Sequence, residues 1–264
     1  MRISVVVPVR NEAENIGPLL SEISKALAGI SFEVIFVDDS TDDTPDIIRK
    51  EAMRSGAPVR MEHREGQSGL ASAVLRGFEL AEGDFVAVMD ADLQHPPYML
   101  RSMYGAMLHG ADLCLPSRRI PGGGDPGLKG FRKFVSSSAA WMGKIMVARL
   151  RPLSDPTGGL FMVRRPLLAG ADLKPIGWKI LAEVAAVCPC EKVIEIPYVF
   201  QKRNSGTSKI SLKVTLEYIE QLVSLLTRAR KNSRLRVERW SDQQVTKSLE
   251  ELKGAQNNQE GVSR

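Results

Sequence analysis

Between Ile3 and Met89, short runs of β-branched and apolar residues alternate with segments whose apolar positions recur at helical spacing, and few architectures accommodate that alternation. Residues 3–9, 32–37, 59–62 and 85–89 read as strands. After the first, Asn11 offers an N-cap, with Glu12 and Glu14 in the first turn and Ile16, Leu19, Leu20, Ile23 and Leu27 following on one helical face. Helices are predicted at about 44–55 and 69–81. Strands joined through helices must run parallel, so the fold class is α/β, with a mostly parallel central sheet flanked by helices on both faces.

The second half is less regular. The pattern predicts a helix over 96–109, strands over 111–116, 159–164 and 192–200, and a mobile glycine-rich loop at 122–127. Two longer segments read as amphipathic helices. One, 130–150, carries Phe131, Phe134, Val135, Trp141, Met142, Ile145 and Met146; the other, 210–230, carries Leu212, Leu216, Ile219, Leu222, Val223 and Leu226. Beyond residue 231 the chain is polar, and 232–264 reads as a partly disordered tail.

Open parallel sheets bind ligands at the carboxyl ends of their strands. Two predicted strands end there in acids: Val37-Asp38-Asp39 and Met89-Asp90-Ala91-Asp92. Side chains two apart on extended backbone point the same way, so Asp90 and Asp92 can converge, with Gln94 close behind. Two carboxylates and an amide oxygen are hard donors suited to Mg²⁺ or Mn²⁺. An Asp-x-Asp elsewhere would be a weak signal, since one carboxylate often only caps a loop.

Several segments resemble the inverting family-2 glycosyltransferases of the GT-A fold, and within them the dolichol-phosphate (polyprenol-phosphate) mannosyltransferases. They are Val5-Val6-Val7-Pro8-Val9-Arg10-Asn11-Glu12, Val37-Asp38-Asp39, residues 69–78, and Val88-Met89-Asp90-Ala91-Asp92-Leu93-Gln94-His95-Pro96-Pro97. Ser117-Arg118, residues 155–161, Pro175-Ile176-Gly177-Trp178-Lys179-Ile180-Leu181 and Gly206-Thr207-Ser208-Lys209 complete the set. The resemblance spans about 3–230.

It implies a catalytic domain over 1–231, with a nucleotide-sugar-binding half at 1–117 and an acceptor half with interface helices at 118–231. Pro8, Glu12, Val37 and one of Asp38 and Asp39 would hold base and ribose, with Arg10 and Ala91 beside the nucleotide. Arg10 stands where many relatives carry an aromatic ring. Asp90, Asp92 and Gln94 would hold the metal and diphosphate. Arg118, Arg132 and Arg203, with Ser208 and Lys209, would gather around donor and acceptor phosphates, and Asp155 would shape the sugar site. The implied donor is a nucleotide sugar, first GDP-mannose, and the implied acceptor a polyprenyl phosphate. Three readings stay open beside it: another donor of the UDP-glucose or UDP-GlcNAc type, a hydroxyl acceptor with Asp155 as base, and an inactive nucleotide-binding subunit.

A polyprenyl tail stays in the bilayer, so the chain would have to reach a membrane surface. No run of about 20 apolar residues is present to span one. The N-terminus runs straight into a strand rather than a signal peptide, which predicts a peripheral protein on the cytoplasmic face. The two amphipathic segments could lie in the interface or pack on the sheet. A basic run at 228–239 favours the interface, and a membrane-embedded partner would suit such an enzyme. The three cysteines lack metal-site spacing and read as small buried hydrophobes. The net charge of +5 would also suit nucleic acid, but that reading leaves the carboxylates unused. A dehydrogenase is disfavoured because no Gly-x-Gly-x-x-Gly follows the first strand.

Overall fold

The structure, a computed structural model, describes residues 1–66, 69–126, 130–201, 212–230 and 234–262, without the side chains of 130–135, 212–213 and 255–262. Its first half alternates as expected: β1 (Ile3–Val9), α1 (Ala13–Ala26), β2 (Phe32–Asp38), α2 (Thr44–Ser55), β3 (Val59–His63), α3 (Leu70–Leu80) and β4 (Phe85–Val88). Then come α4 (Met99–Leu108), β5 (Leu113–Ser117), α5 (Gly130–Met146), β6 (Phe161–Arg164), α6 (Pro166–Ala169), α7 (Ile180–Val187), β7 (Lys192–Pro197), α8 (Leu212–Arg228), β8 (Arg236–Arg239) and α9 (Asp242–Val262).

The eight strands form one sheet in the order β3-β2-β1-β4-β6-β5-β7-β8. All pairings are parallel except those of β6, which runs against both β4 and β5. Side chains alternate across it, so Val5 and Val7 enter one core layer with Ile16, Leu19 and Leu100, while Val6 enters the other with Val74, Val184 and Leu222. The chain leaves β1 toward β2 and β3, then returns to β4 on the other side of β1. The carboxyl ends of β1 and β4 therefore flank a topological switch point, where such sheets open a crevice.

Four features differ from the sequence reading. Residues 232–264 are not a mere polar tail: β8 extends the sheet beside β7, and α9 packs on α4. Leu252 and Trp240 are buried there, and Gly105 leaves room where a Cβ would stand 2.7 Å from Ser248 Oγ. The helix α7 escaped notice because every one of its residues is buried, so it shows no polar face and no period. Asn11 does not cap α1; its Oδ1 accepts the Thr41 N–H at 2.9 Å and ties the β1 loop to the β2 loop. The glycine loop is anchored at Gly124, which donates to Tyr198 O at 3.0 Å and accepts from Phe200 N at 2.9 Å. Its last residue, Gly127, lies outside the described residues.

Candidate active site

The carboxyl edge of β1, β2 and β3 is built around two buried acids. Register places Pro8 opposite Val37 and Val9 opposite Asp38. A proline is tolerated in this central strand because β4 pairs with β1 only as far as Val6, so no ladder partner is lost at Pro8. Asp38 is fully buried; Oδ1 accepts from the Ser40 N–H and hydroxyl, and Oδ2 lies 2.6 Å from His63 Nδ1. Asp39 is gripped at both oxygens by Arg64, Nε to Oδ1 at 2.8 Å and Nη2 to Oδ2 at 2.7 Å, and Oδ2 also accepts the Gly69 N–H at 3.0 Å. Glu12 Oε2 accepts from Asn15 at 2.6 Å, and its N–H donates to Thr44 Oγ1 at 3.1 Å. Arg10 is exposed, while Val37 and Ala91 are buried.

Across the switch point, Asp90 is the open group, its side chain 40% exposed, while Asp92 and Gln94 are buried. Among the described residues, Asn11 and Leu93 are the two non-glycine positions of positive φ, 57° and 59°, and they sit in the loops after β1 and β4. The left-handed turn at Leu93 lets Asp92 Oδ1 accept the Gln94 N–H at 3.1 Å. Gln94 Nε2 donates to Gln201 O at 3.3 Å, which fixes which end of the amide is nitrogen. His95 Nε2 lies 3.6 Å from Asp90 Oδ2, and the His95 ring stacks on Tyr198 and meets the edge of Phe200. Gly159 faces Asp90: a Cβ there would stand 2.8 Å from Oδ2, so glycine keeps that oxygen accessible.

The donor set fits a hard divalent cation, with two carboxylates and an amide oxygen on one short loop. Among the described residues no three His, Cys, Asp or Glu side chains gather as a metal cage, so the third protein donor would be Gln94. A site of two carboxylates completed by substrate phosphate oxygens is the usual manner of Mg²⁺.

Arg118 and Asp155 form the site's second buried pair. Nε and Nη2 of Arg118 both reach Asp155 Oδ2, at 2.9 and 2.7 Å, and the guanidinium lies 5.2 Å over the Phe200 ring. Asp155 Oδ1 accepts from Thr157 Oγ1 at 3.1 Å, with Arg119 Nε at 3.8 Å. Burial pushes the Asp155 carboxyl up, but the charge and hydrogen bonds of Arg118, with the charges of Arg119 and Lys179, together hold the group below the usual carboxylate value. Lys179 joins them, its ammonium donating to Thr157 O at 3.4 Å. Burial pulls its pKa down, opposed by the charges of Asp155 and Asp90.

Of the sequence-derived candidates, Asp90, Arg118 and Asp155 come together around Lys179 and Tyr198, and Asp92 and Gln94 share the loop after β4 with Asp90. Arg132 lies in the first turn of α5, its side chain outside the described set, and Arg203, Ser208 and Lys209 lie outside the described residues. Sequence reasoning missed His63, Arg64, His95 and Lys179. The last two stand inside motifs already singled out; the first two carried no signal beyond following a strand.

Next to this site lie two helices with exposed apolar side chains. Trp141 and Ile145 of α5 are exposed, as are Leu216, Ile219, Val223 and Leu226 of α8. The α8 stripe is split: Tyr218, Leu222 and Leu225 face the core, and the exposed four form a second stripe. No helix among the described residues is long and apolar enough to cross a membrane.

Comparison with known proteins gives concordant results. The family model described as glycosyl transferase family 2 matches residues 4–170. The chain is 39% identical over 228 residues to a dolichol-phosphate mannosyltransferase of Pyrococcus furiosus, covering 86% of this chain but only 64% of that protein. It is 35% identical over 237 residues to a dolichol-phosphate mannosyltransferase of Saccharomyces cerevisiae, covering 84% and 86%. Among solved structures, it resembles glucosyl-3-phosphoglycerate synthase from Mycobacterium tuberculosis in complex with Mn²⁺, UDP and glucosyl-3-phosphoglycerate. That match has a TM-score of 0.60 at 21% identity and covers 85% of this chain and 78% of the other.

Proposed function

Because the chain belongs to glycosyl transferase family 2, with its GT-A fold, we propose that it transfers mannose from GDP-mannose to a polyprenyl phosphate with inversion. The observation that supports this reading is that Asp90 and the buried Arg118–Asp155 pair act on the same two groups, Lys179 and Tyr198, with Asp92 and Gln94 on the same loop as Asp90 at the switch point. In the reaction a phosphate oxygen of the acceptor bonds to the anomeric carbon from the face opposite the leaving group. The bond from that carbon to the diphosphate breaks, and GDP leaves with the electron pair.

The pairing of Asp155 favours an acceptor that arrives already anionic. A carboxylate held by Arg118 below its usual pKa is a weak base, ill suited to deprotonating a hydroxyl. A lipid phosphate needs no base, only positioning and charge neutralisation. Asp90, Asp92 and Gln94 would hold Mg²⁺ or Mn²⁺, which supplies neutralisation of the departing diphosphate when bound. Arg118 keeps a fixed guanidinium plane beside the reacting phosphates, with Arg132, Arg203, Ser208 and Lys209 assigned to the same anions. Pro8, Arg10, Glu12, Val37, Asp38, Asp39 and Ala91 are assigned to the nucleotide. The fixed loops after β1 and β2 support that assignment, since a base is best recognised by groups already locked in place.

The exposed stripes of α5 and α8 would rest in the membrane interface on the cytoplasmic face, bringing the site to the lipid phosphate. A patch of this kind on neighbouring helices marks an interaction surface rather than scattered surface apolars. The test is a panel of radiolabelled nucleotide sugars with Mg²⁺ or Mn²⁺ and polyprenyl phosphate vesicles, followed by organic extraction. Label from GDP-mannose should enter the lipid phase and be lost with EDTA. Label confined to the aqueous phase would overturn the lipid acceptor.

A further inference from the structure

A second charged cleft lies beyond Asp155, of about 400 Å³, lined by Arg119, Ile120, Pro121, Lys144, Ser154 and Arg239. None of these residues has been assigned above to donor, metal or acceptor. Three parts of the fold deliver its cations: the turn after β5 supplies Arg119, α5 supplies Lys144, and β8 supplies Arg239. Each is held by contacts that set its aim. Arg239 donates to Glu195 Oε2 at 3.0 Å and to Pro152 O at 2.9 Å; Lys144 donates to Ser154 O at 3.3 Å; Arg119 donates to Ser137 Oγ at 3.4 Å. The opposing carboxylates are Glu195, whose Oε2 pairs with Arg239 and whose Oε1 accepts the Ser154 N–H at 2.6 Å, and Asp155, which is already held by Arg118; three cations therefore face two carboxylates, one of them paired outside the cleft.

We propose that this cleft is a separate anion site, which takes a phosphate group between Arg119, Lys144 and Arg239. Two guanidinium forks and an ammonium around one space match the acceptor geometry of phosphate oxygens. Burial pulls the Lys144 pKa down; Glu195 and Asp155 oppose it, while Arg119 and Arg239 push the same way as burial, and a bound anion would favour the charged ammonium. The phosphate could be free or carried by a lipid. The position of Lys144 on α5, between exposed Trp141 and Ile145, sets the cleft beside the proposed membrane face. The site does not depend on the identity of the sugar donor.

The test is calorimetric titration of the full chain at low ionic strength with EDTA, using inorganic phosphate in one arm and a short-chain phosphatidic acid in the other. Saturable binding is expected, weakened at least about tenfold in Lys144→Gln/Arg239→Gln, a change of about 1.4 kcal/mol. Arg119→Gln serves as an independent second variant, and each variant is first shown to melt with the parent chain. Tighter binding of the lipid form supports a headgroup, and equal binding supports free phosphate. Absence of saturable binding in both arms, or equal affinity in parent and variants, would overturn the site.

Discussion

Two buried Arg–Asp pairs stand at the carboxyl edge of the sheet, one in each half, and they are built differently. In Arg64–Asp39 the fork meets both carboxylate oxygens, one nitrogen to each, and Gly69 adds a third donor. In Arg118–Asp155 both nitrogens converge on Oδ2, while Oδ1 is shared among Thr157 and Arg119. The first pair closes on itself and clamps the β2 and β3 loops together. The second belongs to a network with spare cations, Arg119 and Lys179, next to the open carboxylate of Asp90. The contrast teaches that burial of an ion pair does not by itself mark a reaction centre. What separates the two is whether the neighbours saturate the carboxylate or leave the charge balance open to a ligand.

The largest effect should come from outside both pairs. Asp92→Asn removes one charge from the proposed cation site while keeping the shape and the acceptor for the Gln94 N–H. Transfer should fall by about 10²–10³-fold, the usual loss when one stabiliser of developing charge is removed. Lipid-extraction assays against the parent chain would measure it, and an unchanged rate would place the reaction elsewhere.

The pairs themselves should part company next. Arg64→Gln leaves Asp39 buried opposite one lost fork and should cost about 3–5 kcal/mol of stability in denaturant unfolding. Arg118→Gln leaves Asp155 with Thr157, Arg119 and Lys179 nearby, so its stability loss should be smaller, about 1–3 kcal/mol, while its activity loss should be the greater of the two. Equal losses in both measurements would dissolve the distinction between clamp and reaction network.

The same contrast explains what could be read before any coordinates. The placing of Asp90, Asp92 and Gln94 on one loop after β4 is legible in the sequence, because strand ends in a parallel sheet point to one edge and spacing along the loop groups them. Arg64 was not, because its partnership with Asp39 depends on how β3 sets against β2. The Arg118–Asp155 pair joins residues 37 positions apart, which no local pattern encodes. Lys179 stood in a visible motif, yet its direction follows from α7, a helix with no polar face to announce it. For β8 and α9 a signal was present: Val245, Leu249 and Leu252 recur at helical spacing and pack on the core layer of α1 and α4. Abundant polar residues around them masked it.

The smallest expected effect concerns protonation, and it tests whether Arg118 governs Asp155. Burial alone would raise the Asp155 carboxyl; the group should instead titrate below an ordinary aspartate, because the Arg118 charge and hydrogen bonds, helped by Arg119 and Lys179, outweigh the loss of solvent. A folded-state pKa below the unfolded one means the carboxylate form is favoured by folding. Its contribution to stability is therefore complete above the unfolded value and disappears as pH falls through the lower folded one. Between neutral pH and the unfolded value no change in stability should come from this group. Carboxyl-carbon NMR across the acid range would report the midpoint, and Arg118→Gln should move it upward toward the value set by burial. A midpoint unmoved by that substitution would mean Arg119 and Lys179 hold the charge, making Arg118 free to serve the phosphates alone.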